Sequence, residues 1–580
     1  NDIPMYVLEN YHVAYNVSMI AGDEFKFRMD SAWEFNYGGD FIGFGERTSA
    51  IGDGGNIQIP EDGIYDIYFD SNALVFYIMY AGEVPSGGNT PISDIFEGTI
   101  PNNQIWYTTE NNQCVELNNL NDYGNTTFIS NTYENGVGVI TFDNDITQIA
   151  IDAFWDANVT KVRLPETVTS IGHSAFHGCG HLSKINLPDA ITFIDGYAFA
   201  WCGNLKEIDL PENLENIEYW AFVGCDLSTV RIPDKVESIN ASFGGNPNLE
   251  KFEGKFASED SKCLIINGVL SGFAPANMTQ YKISSEVYRI ASWCFSCYML
   301  EYVTIPSSVT QIDDRAFNGC EKLFAVEVLS DNLEYCDGTA FDGCIILQQF
   351  WGPLASDDNR CLIIDNTIVA FARYGVKTYT IPEYITSIGA DVFRGCEELT
   401  AINIHDNVSY IGGGAFEGCN GLRSITIPDK VTVIEPYTFD CCCNLYDVKL
   451  GKYTTTIRSM AFAGCESLRM LYLPSTIESI ERGSLLCPSM TELYCAAPTP
   501  PYLEGDTIYG DDPGRTIYVP VDSVTAYQTA NVWSDFADEF VGYDFENNEI
   551  PTPPTIPVNP EDCEWADVYL SLPTEEDAVN

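Results

Sequence analysis

The stretch Ala175-Phe176-His177-Gly178-Cys179 returns as Ala198-Phe199-Ala200-Trp201-Cys202 and then as Ala221-Phe222-Val223-Gly224-Cys225. Its cysteines advance by 202 − 179 = 23 and 225 − 202 = 23 residues, a period typical of solenoid repeats. One repeat cannot bury its apolar face alone, so successive repeats must stack and each repeated position becomes a ladder. The pattern therefore predicts a solenoid in which one side chain per coil is buried at Phe154, Phe176, Phe199, Phe222, Phe243, Phe295, Phe317, Phe341, Phe393, Phe416, Phe439, Phe462 and Leu485.

Two steps between successive phenylalanines are longer than the rest, and they are equal: 295 − 243 = 52 and 393 − 341 = 52 residues. Each corresponds to two coils plus a short insertion. The inserted text is also duplicated, because Cys263-Leu264-Ile265-Ile266-Asn267 matches Cys361-Leu362-Ile363-Ile364-Asp365, with the cysteines 361 − 263 = 98 residues apart. We expect a hairpin to emerge from the solenoid at each of these places.

The full repeat begins with alternating apolar residues, as in Leu422 to Pro428, and this alternation predicts a short strand. A proline cannot donate a ladder hydrogen bond, so it should mark the end of each strand. Such prolines are Pro165, Pro188, Pro211, Pro233, Pro306, Pro382, Pro428 and Pro474.

The chain contains 20 cysteines, and most of them fall on the repeat. Buried thiols on successive coils behave as small apolar groups, so we expect them to be mostly reduced core residues. Disulfides between adjacent coils remain the alternative. The ladder thiols are Cys179, Cys202, Cys225, Cys297, Cys320, Cys344, Cys396, Cys419, Cys442 and Cys465.

The composition limits the possible partners. Asp and Glu total 84 against 28 Lys and Arg, a formal net charge of −56, which repels nucleic-acid phosphates and anionic lipid headgroups. No apolar run reaches the roughly 18 residues that span a bilayer, and the first residues lack a basic segment followed by an apolar one. We therefore expect no transmembrane segment and a mature or trimmed start.

Three groups of residues suggest chemistry, but each has a simpler explanation. His173, His177 and His181 have the spacing of zinc ligands on a helix, whereas repeat turns place them in solvent. Cys294-Phe295-Ser296-Cys297 has redox spacing without the βαβ context, and Cys441-Cys442-Cys443 flanks a ladder site. With 5 histidines in the chain and no nucleophile elbow, we expect no enzymatic activity and no cofactor or metal.

The repeat closely resembles the BspA-like, or Treponema pallidum-type, leucine-rich repeat, over roughly Ile105 to Phe545. The similarity includes the opening segment Ile105-Trp106-Tyr107-Thr108-Thr109 and the closing module around Tyr518-Val519-Pro520. The resemblance implies an α/β leucine-rich-repeat solenoid built mostly of short strands and turns. It also implies a surface protein, since the family is found on gut and oral anaerobes and some protozoa, where members are implicated in adhesion to host proteins and other cells.

Residues 1–83 lack the repeat and alternate in strand fashion, which predicts a small all-β sandwich. The stretch Trp33-Glu34-Phe35-Asn36-Tyr37-Gly38-Gly39-Asp40 resembles the SusE/SusF-type starch-binding modules. That resemblance implies sugar contact through Trp33 and Tyr37, although strand alternation places both on one side, where a core role is the alternative. Residues 84–96 are expected to be a linker, 97–545 the solenoid, and 546–580 a Pro-rich acidic tail.

Two functions are consistent with this organisation. The first is an extracellular or outer-surface adhesion scaffold, expected to be monomeric, that binds a host or other cell-surface protein through its solenoid. The second is capture of polysaccharide by residues 1–83, and a lipid anchor upstream of residue 1 is compatible with both. The predicted protein-binding positions lie between the buried aliphatic residues of each strand: Asn186, Asp209, Arg231, Thr304, Asn403, Thr426, Lys449 and Tyr472.

Overall fold

The computed structural model describes residues 95–552, except 97, 120–121, 240, 298 and 509–513, together with the backbone of ten strands between residues 6 and 80. The chain divides into two compact units, Asn1–Ile217 and Glu218–Asn580. Within the part of the chain that is described, no helix is long and apolar enough to cross a bilayer.

The ten amino-terminal strands form separate antiparallel sheets of five, three and two strands. That they pack as a sandwich remains a prediction, as do the domain boundaries given above. The strands are Tyr6–Leu8, Tyr11–Met19, Glu24–Phe25, Phe27–Arg28, Asn36–Gly38, Thr48–Ser49, Ile51–Gly52, Ile57–Gln58, Gly63–Asp70 and Val75–Tyr80.

An antiparallel cap opens the repeat region. Gln104–Thr109 pairs with Val137–Phe142, which pairs with Phe128–Glu134. On its other edge, Gln104–Thr109 pairs with Val159–Arg163, the first repeat strand, which is followed in parallel by Lys184–Ile185.

Most coils then supply two short strands that stack in parallel on a neighbouring coil, and the coil around Asp209 supplies only the lateral one. This confirms a solenoid of about 23-residue coils. The principal strands of the second unit are Thr229–Arg231, Lys251–Glu253, Gln280–Lys282, Tyr302–Ile305, Ala325–Val328, Gln349–Trp351, Thr378–Thr380, Ala401–Asn403, Ser424–Thr426, Asp447–Lys449, Met470–Leu473, Glu492–Cys495, Thr516–Pro520 and Phe540–Tyr543. The repeat prolines lie within three residues of the end of a principal strand, except Pro211, which follows no strand. Each Pro carbonyl accepts a turn hydrogen bond, as in Val431 N to Pro428 O.

The second, lateral set consists of two-residue strands. In the first unit they are Gln148–Ile149, Ser170–Ile171, Phe193–Ile194 and Asn216–Ile217. In the second unit they are Ser238–Ile239, Arg289–Ile290, Gln311–Ile312, Tyr335–Cys336, Ser387–Ile388, Tyr410–Ile411, Val433–Ile434, Thr456–Ile457, Ser479–Ile480 and Tyr502–Leu503.

The core follows the predicted ladder. All of the phenylalanines in the ladder, and Leu485, are buried. Within each unit, consecutive rings such as Phe416 and Phe439 stack with centroids 4.7–5.4 Å apart and interplanar angles of 2–12°. The register predicted from the repeat is therefore confirmed.

The two inserted segments differ from the expectation that they emerge from the solenoid. Cys263–Ile266 pairs antiparallel with Val269–Phe273, and Cys361–Ile364 pairs antiparallel with Thr367–Phe371. The second strand of each pair continues the lateral sheet, because it pairs in parallel with the strand of the following coil. The physical reason is their apolar content: Leu264 and its neighbours are buried and would be exposed on a projecting hairpin.

A small closing module ends the described chain. It contains the 3-10 segment Val521–Ser523, the α-helix Val524–Thr529 and the 3-10 segment Trp533–Glu539. Tyr527 and Trp533 are buried against the last coils, so they cover the end of the core.

Candidate binding face of the solenoid

The strand face is the outward side of the principal strands. In Ala401–Asn403, Ser424–Thr426 and Asp447–Lys449 the middle residue is buried and the last residue is exposed. This is the period-two alternation of a strand with one side on the core. The predicted positions therefore fall on the outward side in these coils.

The eight predicted positions are not equivalent. Five of them are exposed, namely Asp209, Arg231, Asn403, Thr426 and Lys449. Asn186 and Tyr472 are half-buried. The Asn186 amide accepts a hydrogen bond from Leu164 N at 2.8 Å and donates one to Leu164 O at 3.1 Å, so it ties two coils together.

Thr304 differs from the expectation of an exposed contact residue, because it is only 7% exposed. Its hydroxyl donates to Glu327 Oε2 at 3.0 Å, and the Tyr302 hydroxyl donates to the same oxygen at 2.9 Å. The Trp351 ring lies with its centroid 5.7 Å from that of Tyr302 and is 36% exposed. We call Tyr302, Thr304, Glu327 and Trp351 the Trp351 cluster.

The parallel register brings the Trp351 cluster together. Thr304 lies opposite Glu327, and Glu327 lies opposite Trp351, on three successive strands. Burial raises the pKa of Tyr302, so its hydroxyl is a protonated donor at neutral pH. Two donors on one carboxylate oxygen fix its orientation and leave the other oxygen of Glu327 to accept from a partner.

Sequence reasoning missed Trp351 and Glu327. A signal was present, because Phe350-Trp351-Gly352 matches Phe252-Glu253-Gly254 in the duplicated segment. Phe350 is buried, so the alternation places Trp351 on the outward side.

The aromatic side chains at the Tyr472 end of the strand face are less accessible than Trp351. Tyr472, Tyr494 and Tyr518 lie in register, and the rings of Tyr494 and Tyr518 stack at 4.3 Å. Tyr494 is only 3% exposed, however, and the Tyr472 ring lies 6.3 Å from that of Phe545. These aromatics pack mainly on one another and offer less surface than Trp351.

The histidines of the first unit have different partners. His177 stacks on Trp155 with ring centroids 4.1 Å apart, whereas His173 Nδ1 lies 4.0 Å from Asp195 Oδ1. His181 faces a separate carboxylate at 3.3 Å. Among the residues that the structure describes, no three potential metal ligands converge.

The paired cysteines do not have the environment of a redox site. Burial raises the pKa of Cys297 to about 11 and that of Cys294 well above its ordinary value. A reactive thiol needs the opposite shift, toward the thiolate. Cys441 likewise has its pKa raised to about 12, first by burial.

The proposed sugar contacts Trp33 and the Tyr37 side chain lie outside the described residues. Their role remains a prediction.

Comparison with known proteins gives one family. The BspA type leucine rich repeat region matches in six copies over residues 112–250, 270–353 and 367–486. A search of curated proteins gives no significant match.

Several solved structures are similar to this chain. A leucine-rich repeat protein from Bacteroides ovatus is 23% identical, covering 72% of this chain and 90% of that one, with a TM-score of 0.29. A leucine rich cell surface protein from Faecalibacterium prausnitzii is 24% identical, covering 63% and 86%, with a TM-score of 0.35. The leucine rich repeat protein of T. pallidum is 19% identical, covering 48% and 73%, with a TM-score of 0.17.

Proposed function

The chain belongs to the BspA type leucine-rich repeat family, and we propose that it is a non-enzymatic binding scaffold at the cell surface. It recognises a host or other cell-surface protein through the strand face of its solenoid, residues 97–545. The observation that carries this proposal is the Trp351 cluster, an exposed tryptophan beside a fixed carboxylate on a rigid parallel sheet.

The cluster has the chemistry of a protein-binding hot spot. Tryptophan and tyrosine dominate such sites because they bury a large area at little conformational cost. The Glu327 carboxylate is already oriented, so a partner's amide or guanidinium donor meets it without an ordering cost. The neighbouring strand positions are polar and form a rim.

The net charge indicates which partner surface fits. At −56 the chain attracts basic proteins at long range and raises their association rate, and salt screens this attraction. We therefore propose a partner with a basic contact surface, whose association slows as ionic strength rises.

The test is surface plasmon resonance of the full chain against a panel of immobilised host extracellular proteins with basic and with acidic surfaces. Trp351→Ala should weaken binding at least about tenfold, as loss of a hot-spot aromatic does. Tyr453→Ala, which removes a side chain that is 54% exposed outside the strand face, is the matched control and should have no effect. If both Trp351→Ala and Glu327→Gln bind as tightly as the unchanged chain, the strand face is not the site.

A second candidate is polysaccharide capture by residues 1–83 through Trp33 and Tyr37, favoured by the SusE/SusF-like stretch around them. Affinity electrophoresis in starch gels tests it with the full chain and with Trp33→Ala. Retardation that disappears in Trp33→Ala while the solenoid stays folded supports this candidate. Unchanged retardation excludes these residues as the sugar contact.

A further inference from the structure

A cleft of about 660 Å³ lies in the second unit, outside the strand face. One wall contains Ser238–Ile239 and the other contains the first hairpin, and these belong to two separate sheets. The cleft therefore lies at a break in the lateral strand set. Its volume is in the range of small-ligand sites.

Aromatic rings form much of the cleft. Trp220 and Trp293 meet edge to face, with centroids 5.3 Å apart and an interplanar angle of 89°. Tyr219 meets Trp220 in the same way at 5.7 Å. Tyr288, directly before the strand Arg289–Ile290, is 45% exposed at the rim.

Both tryptophans have an unfavourable backbone conformation. The φ angles are +55° at Trp220 and +57° at Trp293, in the left-handed region that bulky side chains rarely adopt. The same position, two residues before the ladder phenylalanine, is glycine at Gly414 and alanine at Ala241. Positive φ recurs at this position in other coils, as at Tyr437, so it is a feature of the repeat. What distinguishes the cleft is that a tryptophan occupies the position in two of its coils.

Polar groups complete the walls. Arg289 Nε donates to both oxygens of Asp313, at 3.1 and 2.8 Å. The Ser292 hydroxyl donates to Asp314 Oδ1 at 2.5 Å, and Asp314 is exposed. The cleft thus presents both donors and acceptors next to aromatic rings, which suits hydroxyl groups.

The second insertion provides an internal comparison. Counting back from the ladder phenylalanines 317 and 393, the positions of Trp220, Trp293 and Tyr288 are taken by Arg315, Asp391 and Thr386. There the coils before and after the hairpin are in close contact, since a Cβ on Gly338 would overlap the backbone of Ala390. The duplicated architecture therefore does not itself require the aromatic side chains of the first copy.

We propose that this cleft binds a neutral glycan, with pyranose rings stacked on its aromatic side chains and hydroxyls bonded to Asp314 and the Arg289–Asp313 pair. The apolar faces of sugar rings match aromatic rings, and their hydroxyls match the mixed polar walls. Arg315 lies over the Trp293 ring at 5.3 Å, so the sugar packs mainly on the other aromatic rings of the cleft. A cationic peptide fits less well, because Asp313 is already paired with Arg289.

The test is affinity electrophoresis of the full chain in native gels that contain amylopectin, mixed-linkage glucan, galactomannan or arabinoxylan. The variants are Trp220→Gly with Trp293→Gly, and separately Tyr288→Ala. Glycine suits the positive φ of both tryptophans, so the double variant should fold, as circular dichroism would verify. Tyr437→Gly, at φ +57° in the same repeat position of another coil, is the matched control.

We expect at least one neutral polysaccharide to retard the chain. The Trp220→Gly/Trp293→Gly and Tyr288→Ala variants, here called the cleft variants, should bind that polysaccharide at least about tenfold more weakly, and Tyr437→Gly should bind it as the unchanged chain does. Retardation that is lost in Trp33→Ala but unchanged in the cleft variants overturns the proposal. So does the absence of retardation in all four gels. If the cleft variants lose binding to oligolysine while their polysaccharide binding is unchanged, the cleft binds a cationic peptide instead. The strand-face proposal is independent of each outcome.

Discussion

Within each unit, most coils are joined to the preceding coil by a stacked phenylalanine and by a thiol. The ladder cysteine donates its S–H to the carbonyl of the phenylalanine one coil earlier, as in Cys419 to Phe393 O at 3.0 Å and Cys442 to Phe416 O at 3.1 Å. The sequence predicted these thiols as buried apolar groups, and their burial is confirmed. The hydrogen bond was not foreseeable, because spacing shows which coil a side chain is on and not which carbonyl it meets.

Replacing Phe416 by Ala should lower the free energy of unfolding by about 3 to 5 kcal/mol, as large-to-small core changes do. Phe416 is fully buried, and its ring stacks between Phe393 at 5.2 Å and Phe439 at 5.4 Å, so the cavity has rigid walls. Urea denaturation followed by circular dichroism measures the change, with the exposed Thr426→Ala as control. A loss no larger than that of the control would contradict the role of the ladder.

At the scale of elements, the two hairpins share a polar anchor as well as a sequence. In the first, the Ser258 hydroxyl donates to Asp260 at 2.6 Å and accepts from Cys263 N at 2.9 Å. Ser356, Asp358 and Cys361 form the same contacts in the second. The duplication was visible in the sequence. Its placement in the lateral sheet was not, because strand pairing depends on contacts between coils that local alternation does not specify.

A row of charged side chains runs along four coils, each directly after a ladder position. Arg394 lies 3.8 Å from Asp342 and 3.0 Å from Glu417. Asp440 continues the row beside Glu417. Burial, and then the charge of Glu417, raise the pKa of Asp440 to about 7.

Asp440→Asn should therefore stabilise the protein above neutral pH. An unfolded aspartate titrates near 4, so native Asp440 binds a proton more tightly. The stability it contributes is fully present below pH 4 and is lost as the pH rises through about 7. The variant should gain about 1 to 2 kcal/mol at pH 8 and little at pH 4, after allowance for solvent screening. Thermal denaturation from pH 4 to 8 measures this.

Asp429→Asn is the matched control, because hydrogen bonds from Lys452 lower the pKa of Asp429. It should give no gain at pH 8. If Asp440→Asn shows the same gain at pH 4 as at pH 8, the raised pKa is not its cause.

For the whole molecule, the repeat was sufficient to predict the solenoid, its core and most of the outward strand positions. The binding features were harder to predict. Trp351 lies beside the second insertion, where the count of residues per coil is interrupted. The cleft at Trp220 and Trp293 depends on a break between two sheets, which arises from contacts across 293 − 220 = 73 residues of chain. Trp220 and Trp293 have no local pattern that separates them from core aromatics, whereas the alternation with Phe350 could have indicated Trp351.

The many buried thiols should make the whole molecule sensitive to alkaline pH. Burial raises the pKa of Cys179, Cys263 and Cys361 to about 12 in each case. Thiols of the unfolded chain titrate near 8.5. The stability from these groups is therefore fully present below pH 8.5 or so and is lost as the pH rises toward 12, because the unfolded state releases protons first.

The urea midpoint should consequently fall steeply between about pH 8.5 and 10.5.

In the native protein at pH 8, iodoacetamide should modify the exposed Cys114 well before any ladder thiol. After denaturation without reductant, mass spectrometry should find most of the 20 cysteines labelled. Rapid native labelling of Cys419 would contradict its burial. Several unlabelled pairs would show that disulfides join the coils, in which case stacked thiols do not explain the cysteine ladder.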